Sequence, residues 1–156
     1  MSSERSAGMT LLDMTQGSLM TQLLHVAAKL GIADVLADGP KSSDELAQAV
    51  GAHPRHLFRV LRALASLGVF AENDEGNFAL TPLAEPLRTG VPGSLRGVAI
   101  LRGEEWYWRP SGQLMHTVRT GEVAFNYVHG MEFNAYLTAH AEAGDTYNGA
   151  MTFAGG

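Results

Sequence analysis

The chain has 156 residues, of which 46% are apolar and 17% charged; it has no cysteine and a formal net charge of −5. That is a globular composition, long enough for one domain or for one domain and part of another, and the missing cysteines exclude disulfides and thiolate metal centres. The acidic balance argues against broad electrostatic capture of nucleic acid, no apolar run reaches membrane-spanning length, and Met1 to Met9 lacks the basic start and apolar centre of a signal peptide, so the cytoplasm is the expected location.

In chain order, a polar start gives way to Leu11–Leu30, which predicts a helix with Leu12, Leu19, Leu23, Val26 and Leu30 near one face and Met20, Leu24 and Ala27 beside them. The apolar stripe is wide enough either to be shared between the domain core and a partner or to lie wholly inside. Gly31 ends it, and Ile32–Ala37 fits a short helix before the turn Asp38–Pro40. Ser42 stands three residues before Glu45, the pattern of a capping box opening Asp44–Val50, and Gly51 stops that helix. Pro54 sits in the first turn of a helix predicted to run to Leu67 and end at Gly68. Leu57, Val60, Leu61, Leu64 and Leu67 share one side of it, and Arg55, Arg59, Arg62 and Ser66 share the other. Val69–Glu72 and Asn77–Leu80 predict short strands joined by the turn Asn73–Gly76.

A capped helix, a turn, a second helix and a hairpin read as a winged helix. Beyond the wing, Pro82 with Thr81 as its cap predicts another short helix, Gly90–Gly93 a loop, and Ser94–Arg102 and Glu104–Thr120 helices broken near Gly103 and Pro110. Gly121–Gly130 reads as a loop, followed by helices over Glu132–His140 and Glu142–Met151. The predicted fold class is mainly α: a winged helix-turn-helix with a small β-hairpin wing over 1–100, then a helical extension over 101–156.

Arg55, Arg59 and Arg62 are the residues that would read DNA, since the second helix of a winged helix commonly enters the major groove. The competing reading is a solvated face paired with acids. The net charge and the acidic wing tip of Glu72, Asp74 and Glu75, which repels a phosphate backbone, make nucleic acid the weaker reading. His53 and His56, and the neighbouring Glu104 and Glu105, lack the further ligands a metal needs in sequence, so no metal site is expected. The extension concentrates Trp106, Tyr107, Trp108, Phe125, Tyr127, Met131, Phe133, Tyr147 and Met151. Such side chains either sandwich a planar ligand or simply fill the space between helices.

Four runs in this order are AAKLGIADVL from Ala27, DELAQAVGAHPRHLFRVLRALASLGVF from Asp44, FALTPLAEPLR from Phe78 and FNAYLTAHAEAGDTYNGAM from Phe133. They resemble the N-terminal part of the S-adenosylmethionine-dependent small-molecule O-methyltransferases, including those of bacterial polyketide and plant phenolic pathways. The resemblance implies a winged-helix dimerisation domain, helices that roof the acceptor pocket, and a Rossmann-like domain that binds the methyl donor. That third part needs a glycine-rich turn after a strand, whereas Gly155 and Gly156 are the only adjacent glycines and no apolar strand precedes them. The family's catalytic histidine lies in the same third part, so none of the six histidines is expected to be catalytic.

The chain alone is therefore expected to bind no cofactor and not to transfer methyl groups, with S-adenosylmethionine implied for the intact enzyme. By position in the pattern, Trp106, Tyr147, Asn148 and Met151, with Phe125 and Met131, become candidate contacts to a polyketide or phenolic acceptor. Met14, Leu19, Met20, Leu23 and Leu24 become candidates for a homodimer interface. A stand-alone binder of small aromatic molecules, or an enzyme independent of the donor, is the alternative reading, and a DNA-binding regulator comes last.

Overall fold

A computed structural model describes residues 5–155. Helix α1 (Ala7–Thr15) is capped by the Ser6 hydroxyl, which accepts from the Met9 amide at 3.3 Å. Helix α2 (Gly17–Leu30) follows after a break at Gln16, so the single helix expected over Leu11–Leu30 is two. The Gln16 amide turns back to Asp13 at 3.0 Å and the Thr15 hydroxyl to the Leu12 carbonyl, tightening the last turn of α1, while Gly17 adds no side chain to carry the helix through.

The winged module forms as its sequence predicts. Gly31, with φ of +71°, joins α2 to α3 (Ile32–Leu36). Helix α4 (Ser43–Val50) opens on a complete capping box: the Ser42 hydroxyl accepts from the Glu45 amide at 3.1 Å, and the Glu45 carboxylate accepts from the Ser42 amide at 2.8 Å. Helix α5 (Pro54–Ser66) presents Leu57, Leu61 and Leu64 to the core. Leu67, expected on that buried face, is the residue after the helix and is largely exposed.

A two-residue strand β1 (Lys41–Ser42) joins β2 (Phe70–Glu72) and β3 (Asn77–Leu80) in an antiparallel sheet of order β1–β3–β2, with Lys41 opposite Phe78 and Phe70 opposite Leu80. Strand β1 was not predicted, because two residues leave no alternation to read. The wing turn is held by the Asn73 side-chain oxygen, which accepts from the amides of Glu75 and Asn77. Ile32, Leu36, Leu46, Leu57, Leu61, Leu64, Phe70 and Phe78 close into one core beneath the wing.

Beyond the wing, the helix expected at Pro82 is only a 3-10 turn over Glu85–Leu87. The Thr81 hydroxyl does not cap it; it donates to the carbonyls of Val69 at 2.7 Å and Gly68 at 3.0 Å, fastening the chain to the base of the wing. Helix α6 (Arg96–Gly103) then runs between α2 and the last helix, α11 (Ala141–Met151). It starts after Ser94, whose hydroxyl turns to the Arg88 carbonyl.

Two glycines let α6 fit there. A Cβ at Gly97 would lie 2.9 Å from the Gly149 carbonyl oxygen on α11, and one at Gly103 would fall on the Cβ and Cγ of His25 on α2. Backbone carbonyls are used across the α2–α6 contact, with His25 Nδ1 donating to Ile100 at 2.8 Å and Arg96 Nε to Ala28 at 2.9 Å.

Helix α7 (Glu105–Trp108) passes through a 3-10 turn over Arg109–Gln113 into α8 (Leu114–Thr120), so the break expected at Pro110 is present. The segment read as a loop contains α9 (Ala124–His129). Gly121 and Gly130, with φ of +77° and +70°, are the caps that end α8 and α9, and their turn signals mask the six helical residues of α9 between them. Helices α10 (Phe133–Ala139) and α11 (Ala141–Met151) complete the extension. No helix among the described residues is long and apolar enough to cross a membrane.

Candidate functional site

The extension folds Trp106, Phe125, Phe133, Tyr136 and Tyr147 into one cluster. Glu104 has extended backbone and its carboxylate meets Lys29 at 2.5 Å, which sets the entry angle of α7 against α2. From α7, Trp106 stacks on Tyr136 of α10, with ring centroids 5.5 Å apart and planes 23° apart. Phe125 of α9 meets Phe133 and Tyr136 edge to face, at 5.1 and 5.5 Å. Phe133 in turn meets Tyr147 of α11 at 5.1 Å. Edge-to-face and offset contacts suit the aromatic quadrupole and fix ring orientation as well as burying area.

Two histidines lock this cluster to the backbone. His129 Nε2 donates to the Trp106 carbonyl at 2.8 Å, pinning the end of α9 to α7. His140 Nδ1 donates to the Tyr136 carbonyl at 2.9 Å while its ring stacks on Tyr136 at 3.9 Å. A recess of ≈ 340 Å³ opens beside these rings, bordered by Glu104, Trp106, Tyr136, His140, Glu142 and Thr146. A wider cleft of ≈ 700 Å³ lies between α2 and α7, with Leu19, Gln22, Arg102, Tyr107, Trp108 and Ser111 on its walls.

Of the residues expected to contact an acceptor, Trp106, Phe125 and Tyr147 are half-buried members of the cluster. Asn148, Met151 and Met131 are exposed. Tyr147 and Met151 lie one turn apart on α11, whose Ala143 and Ala150 are buried. Tyr136 and His129 are central to the arrangement and were not singled out from sequence as site residues. The helical spacing of Phe133, Tyr136 and His140 was a signal for the first. The second was hidden, because Phe125 and His129 pair as neighbours only if their segment is a helix.

Among the interface candidates, Met14 is 72% exposed and Leu19 is also exposed. Met20, Leu23 and Leu24 are half-buried; Leu23 and Leu24 touch the core, and Leu19, Met20 and Leu23 border a groove with Ala63 and Leu67. Met9, Leu11 and Leu12 are exposed too, and no residue of α1 is buried. On α5, Arg62 turns to Glu72 at 3.5 Å and lies over the Phe58 ring, whereas Arg55 and Arg59 are exposed. Among the described residues, no group of three or more histidine or acidic side chains converges as a metal site.

One carboxylate has a clear electrostatic environment. Burial pushes the Asp34 carboxyl up, but hydrogen bonds from the hydroxyl and amide of Thr89, together with the Arg96 and Arg88 guanidiniums, outweigh it and hold the group below its ordinary value. This contact ties α3 to the segment that leads into α6.

Residues 12–90 match the model of the O-methyltransferase dimerisation domain. Over 141 residues the chain is 50% identical to the phenazine O-methyltransferase PhzM of Lysobacter antibioticus, an alignment that covers 90% of this chain and 41% of that protein. The crystal structure of LaPhzM superimposes with a TM-score of 0.90 at 47% identity, over 96% of this chain and 45% of that one. Human N-acetylserotonin methyltransferase, solved in complex with SAM, gives a TM-score of 0.86 at 25% identity, over 99% of this chain and 47% of that one. The chain thus spans about two fifths of the length of the curated relatives it matches.

Proposed function

Because the chain belongs to the O-methyltransferases through their dimerisation domain, we propose that it supplies the dimerisation and acceptor-roof portion of a small-molecule O-methyltransferase, acting on a planar hydroxylated aromatic of the phenolic, polyketide or phenazine class. Residues 1–100 are the winged dimerisation module and 101–156 the roof. The observation that carries this reading is the convergence of Trp106, Phe125, Phe133, Tyr136 and Tyr147 in the extension. Broad, weakly polar ring faces desolvate a planar acceptor and leave its hydroxyl to be positioned by others.

Tyr147, Asn148 and Met151 present the adjoining edge of α11, and Phe125 and Met131 complete the set of acceptor contacts. Met14, Leu19, Met20, Leu23 and Leu24 face a second copy, and the assembly works in the cytoplasm.

S-adenosylmethionine is the donor of the intact enzyme. The residues described here do not fit it: the strands are two to four residues long and antiparallel, and none runs into a glycine-rich turn at a helix start. The 156 residues alone release no methylated product, and the reacting oxygen is deprotonated by a group outside them. The part assigned to this chain is to exclude water from the acceptor's faces and to fix its orientation, which lowers the entropic cost of bringing donor and acceptor into line.

A chimera tests this. Residues 12–151 replace the corresponding part of a phenazine O-methyltransferase, and methylation of a hydroxyphenazine is followed. The expected result is an active dimer in which Trp106→Ala or Tyr147→Ala raises KM for the acceptor without changing KM for the donor. A folded, dimeric chimera whose acceptor KM ignores both substitutions would refute the assignment of the roof.

A further inference from the structure

Trp106 belongs to a helix that cannot hold its carbonyl. An α-helical carbonyl accepts from the amide four residues on, and four residues after Trp106 stands Pro110, which has no N–H. Helix α7 is over at Trp108, and the Arg109 amide that follows turns back to Glu105 instead. The donor to Trp106 comes from 23 residues away in the chain, where His129 Nε2 lies 2.8 Å from the carbonyl oxygen.

His129 also holds the ring on which Trp106 stacks. Its imidazole packs against Tyr136 with centroids 4.5 Å apart and against Phe125 at 4.4 Å, and Tyr136 is the stacking partner of Trp106. One side chain therefore fixes the backbone of Trp106 by a hydrogen bond and the face opposite its indole by ring contact. The imidazole is steadied by its own helix: His129 closes α9, and Gly130, with φ of +70°, caps that end through its amide to Asn126 at 2.8 Å. His140 does not share this role, because its Nδ1 turns to the Tyr136 carbonyl four residues back and joins no second helix.

We propose that His129 is a positioning residue for the acceptor: by supplying the donor that Pro110 withholds, it sets the plane of the Trp106 indole against which a planar aromatic binds. This role rests on the acceptor-roof reading of the extension. Without the hydrogen bond, an incoming acceptor has to order the indole itself, and apparent affinity falls by the fraction of molecules in which the ring is already in place. The chemistry after binding starts from the same ordered complex. The signature is a higher KM for the acceptor, by about the fivefold that one hydrogen bond of ordinary net strength is worth, with kcat and the donor KM unchanged.

Two substitutions separate the N–H from the ring. His129→Phe keeps an aromatic ring beside Phe125 and Tyr136 and loses the donor; His129→Gln loses the ring and keeps a donor. In the 156-residue chain, Trp108→Phe leaves Trp106 as the single tryptophan, and its near-ultraviolet dichroism and its quenching by acrylamide report whether the indole is held. In the phenazine O-methyltransferase chimera, kcat and both KM values are measured, with Trp106→Ala alongside. The expected result is that His129→Phe weakens the Trp106 dichroism, speeds its quenching and raises the acceptor KM about fivefold, while His129→Gln retains most of both, each with an unaltered helical spectrum. His129→Leu, with neither ring nor N–H, takes the place of His129→Phe if that variant does not fold. An unchanged Trp106 signal without the donor overturns the proposal and leaves the acceptor roof standing on Trp106→Ala. An acceptor KM raised by Trp106→Ala but not by loss of the donor overturns it equally. If the Trp106 signal changes and neither substitution moves the acceptor KM, the acceptor-roof reading fails and the role of His129 in binding falls with it.

Discussion

Replacing Gly103 with alanine tests the packing that joins the winged module to the aromatic extension. The new methyl falls on the Cβ and Cγ of His25, far inside the ~3.5–4.0 Å at which carbons pack. Because His25 Cβ is fixed to the backbone of α2, no rotamer change relieves the overlap, and α2 and α6 must move apart. Such overpacking costs about 1–3 kcal/mol. The hydrogen bond from His25 to the Ile100 carbonyl, worth about 1 kcal/mol net, is lost with the separation. Alanine's helix preference returns up to ~1 kcal/mol.

The expected balance is a loss of about 2–3 kcal/mol, or roughly 5–10 °C in Tm for a chain of this size. Urea unfolding followed by tryptophan fluorescence, at one fixed chain concentration, measures it. Gly149→Ala on α11 is the control, since nothing lies within 4 Å of its added methyl; it should be neutral or slightly stabilising. If Gly103→Ala unfolds at the same urea concentration as Gly149→Ala or a higher one, the close crossing of α2 and α6 is wrong.

Ser42→Ala removes half of the capping box on α4 and should cost about 1 kcal/mol in urea unfolding. Phe78→Ala empties a fully buried position that also meets Phe58 edge to face; a loss of about 3–5 kcal/mol is expected, read by the same assay. Asp34 carries a pH signature. Its carboxyl is held below its ordinary value in the folded chain, so its contribution is present above the unfolded pKa of ~3.9 and lost as pH falls through the lower folded value. Asp34→Asn should therefore be less stable than the parent at pH 6, with the gap closing as pH falls through and below the ordinary carboxylate range; a gap that stays constant down to the acid limit of the folded chain would contradict the assignment.

What the sequence revealed of this fold follows from how locally each element is specified. The capping box at Ser42, the glycine stops at Gly51 and Gly68, and the leucine stripe of α5 are short-range signals, and each appears where it was read, the stripe as far as Leu64. Strand β1 and the break at Gln16 depend on partners far away or on a single tightened turn, so no pattern announced them. Helix α9 was lost because its two bounding glycines carry the same signal as a loop. For the site, the aromatic content of the extension was visible in composition. The role of Tyr136 as the ring shared by Trp106, Phe125 and His140 required knowing that α7, α9 and α10 converge. The glycines that permit α6 to pass between α2 and α11 are likewise silent in sequence, because an unfilled Cβ position matters only against a neighbour 52 or more residues away in the chain.

The claim on which the rest depends is that these residues build a dimer. Sedimentation equilibrium of the 156-residue chain, from the low micromolar range to about 100 µM, tests it directly. The account predicts a particle of two 16.7 kDa chains whose dissociation is promoted by Leu12→Asp on α1. A single chain across the whole range, with the helical spectrum of a folded protein, would contradict it.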